Sequence, residues 1–69
     1  MRIKTVLENL EFGDSFFLTE FPDEWEVEYR KTDPLKNSGR FNTCAVDGAG
    51  KVVGRTSYSD SKEVWTEAA

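Results

Sequence analysis

Trp25-Glu26-Val27-Glu28-Tyr29-Arg30-Lys31-Thr32 is the stretch on which the reading of this chain turns. Trp25, Val27 and Tyr29 alternate with Glu26, Glu28 and Arg30. A period of two is the repeat of a strand with one apolar and one polar face. The pattern predicts a strand with Trp25, Val27 and Tyr29 turned inward and the charged residues outward.

Working outward, short strands recur on both sides. Upstream, Phe21-Pro22-Asp23-Glu24 reads as a turn, because proline fixes φ and aspartate accepts local backbone bonds. Before it, Ser15 to Thr19 is an apolar, aromatic run of strand type. Thr5 and Glu8 stand at capping-box spacing, with Val6, Leu7 and Leu10 on one helical face and Gly13 placed as a left-handed stop. One short N-terminal helix is therefore expected. Downstream, residues 33–39 read as a loop, marked by Asp33-Pro34 and Asn37-Ser38-Gly39. Phe41 to Asp47 reads as a strand with Cys44 and Val46 on one face. Asp47-Gly48-Ala49-Gly50 is a hairpin turn, and Lys51 to Tyr58 is its return strand, with a bulge or bend at Gly54. Glu63 to Thr66 makes a last strand. The expected fold is mostly β, with a minor helical part. It is a five-stranded antiparallel meander curled into a small SH3-like barrel or bent sheet.

All 69 residues belong to one domain, since no repeat, linker or low-complexity tract divides them. A chain of this size buries only about 60% of its unfolded surface, so it builds one core. The composition of 32% charged and 38% hydrophobic residues is that of a folded domain. Lone Cys44 cannot form an internal disulfide, which fits a reducing compartment. No apolar run follows Arg2 and Lys4 as in a secretory leader, and none reaches the roughly 20 residues of a membrane span. A cytoplasmic protein with no membrane association, monomeric or homodimeric, is expected.

Several kinds of chemistry are excluded. With no histidine and one cysteine, a single chain supplies neither a zinc site nor a Cys–His nucleophile. Glu26 and Glu28 would share a strand face at a separation that suits acid–base hydrolysis, but the alternation turns them to solvent, where no pKa is raised. The acidic cluster lacks the spacing of a calcium loop. Gly48-Ala49-Gly50-Lys51 is no phosphate-binding loop either, because Ala45 stands at its first glycine position and Val52 follows the lysine. The chain is expected to be no enzyme and to use no cofactor or metal.

Binding remains, and charge locates it. The net charge of −4 is unevenly spread: residues 1–29 sum to −6, residues 30–55 to +4 and residues 56–69 to −2. Pairing of acidic with basic strands across a sheet accounts for this without any partner. Beyond that, an acidic surface of Glu20, Asp23, Glu24, Glu26 and Glu28, interleaved with Phe21 and Trp25, suits docking on a basic protein surface. If Trp25 instead belongs to the core, these acids serve only solubility. The alternative is single-stranded nucleic-acid binding through Arg30, Lys31, Lys36, Arg40 and Phe41, by stacking within a basic groove. A pI near 4.7 opposes it. A third reading is an assembly subunit that exchanges an edge strand, with residues 60–67 as the exchanging segment.

Three short segments carry a resemblance. Gly13-Asp14-Ser15-Phe16, Tyr29-Arg30-Lys31-Thr32-Asp33, and Asn42 leading to Val46-Asp47-Gly48 with a late Val64 resemble, in order, small β-rich proteins encoded by bacteriophages and prophages. The resemblance covers most of the chain and implies a compact curled sheet. It also implies an accessory protein that engages a host factor, and it assigns no functional residues.

Overall fold

A computed structural model describes residues 1–36 and 40–67. The strands among these residues are β1 (Arg2–Val6), β2 (Ser15–Phe16), β3 (Glu28–Lys31), β4 (Thr43–Val46), β5 (Val52–Thr56) and β6 (Glu63–Glu67). Of the expected five-stranded meander, four strands form one antiparallel sheet, β2-β3-β4-β5, and the expected last strand at Glu63 to Thr66 leaves it to pair with the N-terminal segment. The remaining strands form a second sheet, β1 against β6, with Arg2 opposite Glu67 and Val6 opposite Glu63. Phe17 joins the two by an antiparallel bridge to Trp65, with N–H···O distances of 2.8 and 2.9 Å in the two directions. Among the described residues the sheets do not close into a barrel.

The predicted N-terminal helix is not formed. Residues 2–6 are strand, and only Leu7–Asn9 makes a 3-10 turn. Leu7 and Glu8 donate their N–H groups at 3.0 Å to the carbonyls of Lys62 and Asp60. Those distant partners fix the first turn where it lies, and β-branched Ile3, Thr5 and Val6 favour the paired strand that precedes it. Thr5 sits inside β1 opposite Val64 and caps nothing. Gly13 does adopt the left-handed conformation expected of it, at φ +95°. There it turns the chain into β2, and its N–H reaches Lys31 O at 2.7 Å.

Strand alternation then sorts the apolar residues. Phe16, Tyr29 and Ala45 are cross-strand neighbours on one face. Phe16, Leu7 and Val64 form the fully buried core, with Leu10, Leu18, Tyr29 and Tyr58 packed against it. Tyr29 stacks on Phe16 at 5.6 Å between centroids and meets Tyr58 edge-on at 6.2 Å; both geometries are favoured for aromatic pairs. Phe17, Cys44 and Val46 are also buried, but alternation puts them on the opposite face. The strand expected from residue 25 begins only at Glu28, so the inward places assigned to Trp25 and Val27 do not exist. The hairpin at residues 47–50 forms as expected, with Asp47 Oδ1 accepting the Ala49 and Lys51 N–H groups at 2.9 Å each. In β5 the register shifts so that Ala45 faces Gly54 while Val46 faces Val52. Val53 is the extra residue of the bulge anticipated beside Gly54. Of the loop expected at residues 33–39, Pro34–Lys36 is a 3-10 turn, and Asn37-Ser38-Gly39 lie outside the described residues.

Candidate protein-contact loop

Between β2 and β3, residues 19–27 form a loop, and Arg2 holds both of its shoulders. The Arg2 guanidinium donates to Thr19 O at 3.1 Å and forms a two-pronged ion pair with the Glu26 carboxylate. Its Nε donates to Glu67 Oε1 at 3.0 Å, and its plane lies 3.7 Å over the Phe17 ring. Only 3% of the Arg2 side chain is exposed. A planar guanidinium suits this work, since it bonds a carboxylate bidentately while stacking on an aromatic face. The ion pair holds the Glu26 carboxyl below its ordinary pKa, and Glu26 and Glu67 hold Arg2 charged despite its burial.

Between these shoulders the tip faces solvent. Asp23 accepts the Trp25 N–H at 2.7 Å through Oδ1 and the Glu26 N–H at 3.2 Å through its carbonyl, so a tight turn occupies residues 23–26. Phe21 is 74% exposed and Trp25 is 84% exposed. The alternative that places Trp25 in the core is thereby overturned. The five acidic residues expected to act together split into two sets. Glu20, Asp23 and Glu24 stay exposed around the two aromatics. Glu26 belongs to the Arg2 clamp, and Glu28 accepts from Ser15 Oγ at 3.2 Å and lies 3.5 Å from Arg30 Nε.

The basic residues separate too. Arg30, Lys31 and Lys36 line one cleft with Phe12, of about 400 Å³; Arg40 and Phe41 are not among its lining residues. Lys31 Nζ donates to the carbonyls of Leu7 and Leu10 at 3.0 and 2.8 Å, tying the first 3-10 turn to β3. That cation is occupied with structure. The segment at residues 60–67 is not a free edge: β6 has β1 on one side and Phe17 on the other. Among the described residues, β1 and β5 each have a paired strand on one side.

Arg2 is the residue fastening this loop that sequence reasoning missed. Its contacts to Thr19 and Glu26 cross 17 and 24 positions, and no local pattern encodes them. Among the described residues, no helix is long and apolar enough to cross a membrane. No protein-family model matches the chain, and neither does any curated protein or solved structure.

Proposed function

We propose that this chain is a non-enzymatic domain that binds another protein through the tip of the 19–27 loop. Phe21 and Trp25 are the apolar anchors, and Glu20, Asp23 and Glu24 steer a basic partner surface toward them. One observation carries the reading: two large aromatics stand in solvent on a loop whose base is fastened by a buried arginine. Exposed aromatics beside exposed acidic side chains are typical anchors of interfaces. A loop already held at both shoulders loses less freedom on binding than a free one. The likeness to phage-borne proteins points to a host protein as that partner, met in the cytoplasm.

The test is a pull-down from bacterial lysate with tagged protein, with and without nuclease, beside Trp25→Ala and a triple reversal of Glu20, Asp23 and Glu24 to Lys. One stoichiometric protein band is expected, resistant to nuclease and lost in both variants. A band that all three proteins retain equally overturns the reading. Glu26 and Glu28 are unsuitable for reversal, because a lysine at position 26 would face the buried Arg2. Material recovered only without nuclease would favour the second reading, nucleic-acid binding at the Phe12 cleft, which gathers Arg30 and Lys36.

A further inference from the structure

Beside the clamp, the face of the sheet that carries Phe17 opens into a groove of about 510 Å³. Its apolar walls are Phe17, Val27, Val46 and Val53. Two of these walls remain wet: Val27 is 42% exposed and Val53 is 62% exposed. The bulge in β5 accounts for Val53, because the extra residue there falls outside the pairing with β4. Among the described residues, the charged ones of the lining are Glu26, Glu28 and Asp47, with no lysine or arginine. Glu26 is neutralised by Arg2, and Glu28 has Arg30 at 3.5 Å. The Asp47 carboxylate spends one oxygen on the Ala49 and Lys51 N–H groups and has no ion-pair partner among the described residues.

We infer that this groove is a docking site for a basic, apolar-flanked segment of a partner protein. One lysine or arginine side chain of the segment meets Asp47, while apolar neighbours cover Val27, Val46 and Val53. This deepens the proposed function, on which it rests, by extending the contact from the loop tip along Val27 into the sheet. Charge complementarity selects the occupant. An acidic segment would set its carboxylate against Asp47 and Glu28, and a purely polar one would leave the valines uncovered. Arginine suits the site best, since its stem can lie along apolar walls while its head group meets a carboxylate.

The experiment is a 15N-resolved NMR titration with three short synthetic peptides, Leu-Arg-Phe-Arg-Leu, Leu-Glu-Phe-Glu-Leu and Ser-Arg-Ser-Arg-Ser. Only the first is expected to bind, with shifts confined to the amides of Val27, Val46, Gly48 and Val53. Val53→Lys removes a wall and adds a like charge, and is expected to weaken binding about tenfold or more, on the scale of one buried interface contact. Asp47→Asn keeps the oxygen that organises the turn but removes the charge. It is expected to weaken binding roughly threefold to fivefold and to flatten the salt dependence. Both positions are exposed, so both variants should keep the wild-type spectrum elsewhere. Equal binding of the acidic peptide, no binding of the first one, shifts centred on the Phe12 cleft, or full affinity in both variants would each overturn the inference. A lysate partner lost by Trp25→Ala but retained by Val53→Lys would overturn the groove alone and leave the loop reading standing.

Discussion

Trp25 and Tyr29 sit in phase on one alternating stretch, yet Tyr29 stacks on Phe16 while Trp25 projects into water. The difference lies in what stands opposite. Tyr29 pairs with Ala45, and Glu28 with Val46. One step further, β4 gives way to the hairpin at residues 47–50, so Glu26 would have only the turn to pair with. Strand 3 cannot outlast its neighbour. The Asp23 side chain and carbonyl then accept the N–H groups of Trp25 and Glu26 in a turn, and Trp25 is turned out of the sheet. Alternation states which side a residue would face if it were paired; the neighbour's length decides whether it is paired.

The largest effect that sharpens this contrast is expected at Tyr29. Replacing it with alanine removes contacts to Phe16 and Tyr58 and should cost about 2–4 kcal/mol in urea unfolding, a large share of the stability of so small a domain. An effect no larger than that of Trp25→Ala would erase the distinction between the two aromatics.

Next in size is the clamp. The Glu26 carboxyl has its pKa lowered in the folded state, so the stability it contributes is fully present above the ordinary glutamate value of about 4.3 and fades as pH falls through the folded value. Glu26→Gln should therefore lower the urea midpoint at pH 7, and the gap to wild type should narrow as pH is taken down through 4 toward 3. A gap that widens under acid would contradict the ion pair as the source. Glu63 is also lowered, by Lys4, but that pair is exposed on both sides, and surface pairs contribute little.

The smallest expected effect belongs to Trp25 itself. Trp25→Ala should move global stability by no more than about 0.5 kcal/mol, as for other exposed positions. Its intrinsic fluorescence should be that of a solvated indole, readily quenched by iodide, while that of half-buried Trp65 is shielded. A blue-shifted, protected Trp25 would return the residue to the core.

Local signals carried much of this fold. The hairpin at residues 47–50, the bulge beside Gly54, the left-handed Gly13 and the shared face of Cys44 and Val46 all follow from residues a few positions apart. The N-terminal segment did not yield to the same reasoning. Thr5, Val6, Leu7, Glu8 and Leu10 satisfy helical spacing as well as they satisfy a strand and a turn, and the deciding partners are Lys62, Asp60 and Val64. The candidate site shows the same division. Sequence marked Glu20, Asp23, Glu24, Phe21 and Trp25 as one neighbourhood. It could not separate them from Glu26 and Glu28, because that separation is made by Arg2 and Ser15 from other strands.

The pairing of β1 with β6 also sets an order of events in folding. Strands β2 to β5 join successive neighbours along the chain, whereas Arg2 meets Glu67 across 65 positions. Closing so long a loop loses more chain entropy than closing a hairpin, and contacts of high sequence separation slow folding. The meander is thus the expected nucleus, with the outer pair docking onto it later. Arg2 arrives with that pair, so the loop between Thr19 and Glu26 acquires its fastened base only when the rest of the domain has closed. On the proposed reading, competence to bind becomes a readout of completed folding, and a chain caught halfway would present Trp25 on a slack tether instead of a fixed arm.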